Sequence, residues 1–123
     1  MSKFKYVMFL VCTSLLLFSC AERIDKKLLP GDWKGAEWIV AGMDGKIDAS
    51  TAMFSFKDDG QYTYSYNDAV ENGKYYVVNG ELYTTPDGGT KMMVKIEKLT
   101  QDSLVFNMNR GGQSETLTLL RAK

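Results

Sequence analysis

The groups in this chain able to do covalent chemistry are few, and their placement decides what they could do. Its two cysteines are Cys12 and Cys20, and it contains no histidine. Cys12 stands inside an apolar run, whereas Cys20 closes the run Leu17-Phe18-Ser19-Cys20 and precedes a polar stretch. Without imidazole, the usual general base for a serine or cysteine nucleophile and the commonest zinc ligand are both missing. Beyond Cys20 the serines are Ser50, Ser55, Ser65, Ser103 and Ser114, none of them in a G-x-S-x-G or S-x-x-K setting. Asp58-Asp59-Gly60 lacks the alternating oxygen ligands and closing glutamate of a calcium loop, and reads as a solvated turn. The residues therefore point away from catalysis, and no metal and no cofactor is expected. Cys20 is left as the thiol whose surroundings need explaining.

The context of Cys20 gives that thiol its meaning. Lys3 and Lys5 make a positive start, and Tyr6 to Phe18 make an apolar core. That core is shorter than the roughly 20 residues a spanning helix needs, so it reads as an export signal that is removed. Leu17-Phe18-Ser19-Cys20 resembles the lipobox of bacterial lipoproteins. The resemblance implies that Cys20 becomes the new N-terminus, carries acyl chains such as palmitate, and anchors the chain to a membrane. Ala21 is not the aspartate that retains some lipoproteins in the inner membrane, so the outer membrane is expected. The chain then divides into a signal peptide at 1–19, a lipidated N-terminus and tether at 20–30, and a folded domain at 31–123. Ten extended tether residues reach at most about 35 Å, which keeps the domain near the bilayer.

One core of ordinary size accounts for the domain's length. With Cys12 removed and Cys20 acylated, it has no thiol for a disulfide and must rely on that core. Acidic and basic residues balance at 15 each, without a basic run, so the electrostatic footprint of a nucleic-acid binder is missing.

From Gly31 onward, alternation of period two recurs and helical period does not. Phe54 and Phe56 share one face, as do Tyr62, Tyr64 and Tyr66; Met92, Val94 and Ile96; Leu104, Phe106 and Met108; and Leu117 and Leu119. Such alternation means antiparallel sheet with one side buried and one side wet. Turn chemistry breaks the runs at Asp58-Asp59-Gly60, Asn79-Gly80, Pro86 to Gly89, Gln101-Asp102 and Arg110-Gly111-Gly112. Eight runs result, at about 34–42, 52–57, 61–67, 73–79, 81–85, 91–98, 103–109 and 115–121. Eight short strands joined in sequence predict an all-β, up-and-down antiparallel barrel, because closure removes exposed sheet edges. A two-sheet sandwich is the structural rival. The preceding tether is expected to end in at most one helical turn.

Gly31-Asp32-Trp33 before the first run resembles the G-x-W signature of lipocalins, and Arg121 lies where that family places an arginine over the tryptophan. The resemblance implies an eight-stranded barrel plugged at one end by Trp33, with a cation–π contact from Arg121. It also implies a cup that holds a small hydrophobic or amphipathic ligand. The runs are shorter than in typical lipocalins and no helix follows Arg121, which implies a smaller cup.

Period two sends Phe54, Phe56, Tyr62, Tyr64, Tyr75, Val77, Leu82, Met92, Val94, Ile96, Leu104, Phe106, Met108, Leu117 and Leu119 inward. Among these, Phe54, Phe56, Tyr62, Tyr64, Tyr75, Met92, Phe106 and Met108 are the candidate ligand-binding residues. On the first strand, Trp38 and Val40 compete with Ile39 and Ala41 for the inner face. The inner set either fills the barrel as a dry core or, with its rings drawn back, lines a pocket. A row of tyrosines needs partners for its hydroxyls, which suits a partly wet wall. On an outer face the same row would serve a protein partner, so a solid barrel acting as an envelope inhibitor or a subunit of a surface complex is the alternative function. The long segment Met43 to Thr51 is either a lid with Ile47 at its tip or a hairpin extension turning at Asp44-Gly45.

Overall fold

The computed structural model describes residues 24–43 and 45–122. Residues 1–23, among them the expected signal peptide and the Leu17–Cys20 run, lie outside the described residues, as do Asp44 and Lys123. Strands β1 (Gly31–Val40), β2 (Met53–Phe56), β3 (Gln61–Tyr66), β4 (Ala69–Val78), β5 (Glu81–Pro86), β6 (Met92–Leu99), β7 (Ser103–Arg110) and β8 (Gln113–Arg121) follow in order. Each pairs antiparallel with the next, and β8 pairs back onto β1, closing the barrel that the alternation predicts. A single 3-10 turn, Lys26–Leu28, precedes β1, started by the Asp25 carboxylate accepting from the Lys27 amide at 3.1 Å.

Three local features depart from the simple alternation. β4 begins at Ala69 rather than at 73, because Asn67 and Asp68 both take positive φ (47° and 69°) and make a two-residue hairpin. An Asn-Asp pair accepts that geometry more cheaply than most residues, but it is a quieter signal than Asn-Gly. On β1 the pairing with β8 slips between Gly35 and Glu37, so one extra residue flips the phase. Trp33 and Gly35 face inward before this bulge, and Trp38 and Val40 face inward after it. A second bulge between Ile96 and Lys98 turns Leu99 inward on β6 in the same way.

The β1–β2 segment is a hairpin extension. Ile47 bridges antiparallel to Trp38, with its amide 3.0 Å from the Trp38 carbonyl. Ala49 and Ala52 are buried against Gly35, where any Cβ would collide with the Ala49 carbonyl oxygen. Tyr66 donates to the Asp48 carbonyl at 3.0 Å, and Thr51 donates to Asn67 at 2.8 Å. The segment thus completes the wall beside β1 and β3 rather than capping the mouth.

At the other end the barrel is shut. Trp33 and Arg121 are direct partners across the β1–β8 seam. Trp33 is fully buried and donates its indole N–H to the Leu29 carbonyl at 2.8 Å. The Arg121 guanidinium lies over the indole ring, 4.1 Å from its centroid. It also donates to the carbonyls of Leu28 (2.6 Å), Pro30 (3.0 Å) and Gln101. One side chain therefore binds the tether, the seam and the β6–β7 turn together. Gly31 has φ of +130°, and a side chain there would strike the Arg121 guanidinium.

Arg121→Ala removes a cation–π contact and several charge-assisted hydrogen bonds to carbonyls, so a loss of about 3 kcal/mol is expected in urea unfolding. Arg121→Lys should recover less than half of it, since an ammonium cannot reproduce the fork. Gly31→Ala should cost about 2 kcal/mol through the strained φ and the collision. Wild-type stability in either Arg121 variant would rule out this plug as a structural anchor.

Candidate functional site

Side chains fill the barrel at the plugged end and leave it hollow at the other. Leu29, Trp33, Phe56, Leu104 and Leu119 are fully buried or nearly so, and Tyr75 stacks edge-on to Phe56 with ring centres 5.0 Å apart. Toward the end where β1 finishes and β8 begins, the inner surface opens into a cavity of about 650 Å³. Its lining includes Trp38, Phe54, Tyr62, Tyr64, Tyr66, Leu82, Val94, Phe106, Met108 and Leu117, with Glu71, Thr84, Asn109 and Arg110 as the polar members. That volume falls in the range of small-molecule sites. A depression of about 700 Å³ at the plugged end, between Ile24–Lys27 and the Val77–Gly80 turn, carries no aromatic residue in its lining.

The cup stays open because its rings are tied back to the wall. Tyr62 donates to the Glu71 carboxylate on the adjacent strand at 2.7 Å. Trp38 donates to Glu115 on β8 at 2.8 Å, and the second oxygen of Glu115 lies 3.8 Å from the Arg110 guanidinium. Glu115 is only 7% exposed, so both contacts are needed to offset its desolvation. Tyr66 leans edge-on against Trp38 with centroids 5.4 Å apart, and Phe54 stacks on Tyr64 at 4.5 Å. Rings held against the barrel wall cannot swing across the centre and fill it. The Tyr64 hydroxyl has no hydrogen-bond partner among the described residues.

Of the candidate ligand-binding residues, Phe54, Tyr62, Tyr64, Met92, Phe106 and Met108 meet in this lining. Phe56 and Tyr75 do not. They belong to the packed end, where Phe56 pairs with Gly31 and the Tyr75 hydroxyl donates to the Lys57 carbonyl at 2.6 Å. Met92 has the inward phase and, as the first residue of β6, lines the cup at its rim, where it is 50% exposed. The row Tyr62, Tyr64, Tyr66 faces inward and makes no outer patch. On the outside, an exposed aromatic feature is Tyr76 stacked on Tyr83 at 4.9 Å, with the Lys91 ammonium donating to the Tyr76 hydroxyl at 2.9 Å and within 6 Å of both ring centres.

Glu71 and Glu115 are the residues that sequence reading missed. Glu71 falls in the stretch 68–72, which reads as a connector until Asn67-Asp68 is recognised as a turn. From there Glu71, Gly73, Tyr75 and Val77 share one face. Glu115 lies on the phase of Leu117 and Leu119, and inward alternation alone would have placed it.

Comparison with known proteins comes to the same architecture. The sequence profile of a family described as a lipocalin-like domain matches residues 29–106, more than half of the chain. No curated protein sequence matches. Among solved structures, a lipocalin-like protein from Bacteroides uniformis superposes with a TM-score of 0.57 at 20% identity, over 78% of this chain and 99% of that one. An uncharacterised protein from Bacteroides eggerthii superposes with a TM-score of 0.60 at 14% identity, over 76% of this chain and 98% of that one. At such identities these two structures speak to fold alone.

Burial, and then the hydrogen bond to Glu71, push the Tyr62 hydroxyl above its ordinary pKa of 10.0; burial acts likewise on Tyr64 and Tyr75. A phenol with a raised folded-state pKa favours folding below its unfolded pKa, and that contribution is lost as pH rises beyond it. Stability should therefore hold to about pH 10 and then fall with rising pH. Tyr62→Phe should cost about 1 kcal/mol near neutrality and make the alkaline fall shallower. An unchanged alkaline slope in urea unfolding of this variant would mean that Tyr62 titrates as an exposed phenol.

Proposed function

Because the chain belongs to the lipocalin-like domain family, we propose that it is a non-catalytic carrier that holds one small hydrophobic or amphipathic molecule in the open end of its barrel. The observation that carries this reading is the aromatic-lined cavity of about 650 Å³, kept open by rings hydrogen-bonded to the wall. Binding works by burial. Each Å² of apolar surface removed from water contributes about 25 cal/mol, so a ligand losing roughly 200 Å² gains about 5 kcal/mol before the entropic cost of association. That figure alone corresponds to a dissociation constant of about 0.2 mM, so tighter holding needs a ligand that buries more surface or adds polar contacts.

A neutral solvatochromic dye should bind at one site per chain and shift its emission to the blue. Val94→Trp, which adds bulk to the half-buried cavity wall, should weaken the dye about tenfold or more while the melting temperature stays within a few degrees. Absence of saturable binding, or equal binding by the filled variant, would remove the carrier reading.

We also propose that the carrier works as a lipoprotein, exported by its N-terminal signal and anchored by acyl chains on Cys20, in the outer membrane. The support is the apolar run ending in Leu17-Phe18-Ser19-Cys20. The polar tether then keeps the barrel close to the bilayer. In a bacterial host, palmitate analogue should label the wild-type chain and leave Cys20→Ala unlabelled, with the variant retaining its N-terminal run. Labelling that persists in Cys20→Ala would contradict the assignment.

A further inference from the structure

The cup carries a charge asymmetry that barrel closure does not demand. Glu71 stands in its wall directly across from Tyr64 in the β3–β4 register. One of its oxygens accepts the Tyr62 hydroxyl at 2.7 Å, and no lysine or arginine lies within ion-pair distance of it among the described residues. Arg110 is the one cation of the lining; its side chain is 64% exposed at the rim, and its guanidinium lies 3.8 Å from Glu115. The Tyr64 hydroxyl, on the residue paired with Glu71, has no hydrogen-bond partner among the described residues. A carboxylate set among aromatic and aliphatic walls without a counter-charge is costly to desolvate further, unless the arriving group brings the opposite charge. Aromatic faces add to that preference, because their negative quadrupole attracts cations.

Resting on the reading of the cup as a ligand site, we infer that it selects cationic amphipaths: an alkyl or aryl ammonium whose head meets the Glu71 carboxylate between Tyr62 and Tyr64 and whose apolar body lies against Phe54, Leu82 and Phe106. An anionic head on the same body meets Glu71 as a like charge and is left with Arg110, already engaged by Glu115. A neutral head can donate a hydrogen bond to Glu71 but gains no Coulombic attraction.

Three probes with one tail separate the outcomes: decylammonium, decanol and decanoate, each titrated calorimetrically at neutral pH into the folded domain below its micellar concentration. Decylammonium should bind about tenfold tighter than decanol, with decanoate weakest, the size of one charge-assisted hydrogen bond in a partly desolvated site. Glu71→Gln, which keeps an acceptor for Tyr62, should weaken decylammonium far more than decanol and bring the two to within about twofold of each other. Decanoate or decanol binding as tightly as decylammonium to the wild type overturns the inference but leaves the cup as a carrier site. A preference for decylammonium that survives Glu71→Gln overturns the assignment to Glu71. Failure of all three probes to bind removes the carrier reading and this inference with it. The wild-type comparison decides between the probes even should Glu71→Gln fold poorly.

Discussion

Arg121 reaches back across the line where the barrel closes and holds three separated pieces of chain with one guanidinium: Leu28 and Pro30 before β1, Trp33 within it, and Gln101 in the β6–β7 turn. Closure of a small sheet is expensive in chain entropy, because its first and last strands are the farthest apart in sequence. Concentrating aromatic burial, cation–π attraction and charged hydrogen bonds at that seam answers the cost where it falls. The chain has no disulfide among its described residues to do this work, so the plug stands in for a covalent staple. With one end fixed by Trp33, the opposite end is free of the packing that closure requires, and it can remain hollow.

The hollow end depends on polar contacts of a different kind. Tyr62 on β3 is bound to Glu71 on β4, and Trp38 on β1 to Glu115 on β8, while Tyr66 reaches the β1–β2 segment at Asp48. Each bond runs sideways along the wall and fixes a large ring against it. An aliphatic lining of the same area could collapse toward the barrel axis, since nothing would hold its rotamers outward. Aromatic rings with a polar tip give an apolar surface and an anchor at once. Burying these groups is costly, and none of the described buried side-chain polar atoms is left without a partner.

Much of this was legible in the residues. The strand pattern, the order of hairpins and the inward positions on β2, β3, β7 and β8 follow from period two, because only that spacing puts Phe54 and Phe56, or Leu117 and Leu119, on one dry face. Gly31-Asp32-Trp33 and Arg121 pointed to the plug. Less legible were the places where one residue changes phase or direction. The β1 bulge made Trp38 and Val40 compete with Ile39 and Ala41 in the sequence, and pairing with β8 resolves it. Asn67-Asp68 turns the chain without a glycine, and with that turn unread the strand carrying Glu71 begins too late. Depth along the barrel axis is likewise invisible to alternation, which cannot tell Phe56 at the packed end or Met92 at the rim from Phe54 in the cup. The resemblance of Leu17-Phe18-Ser19-Cys20 to a lipobox rests on sequence alone, and those residues lie outside the described ones.

The barrel is filled at one end and hollow at the other, and methyl resonances distinguish the two halves directly. Adding decanol to methyl-labelled protein should shift the signals of Leu82, Val94, Met108 and Leu117, which line the cup, and leave Leu29, Leu104 and Leu119 at the plug in place. Shifts confined to outward residues such as Val70 and Val78, or spread evenly through both halves, would contradict it.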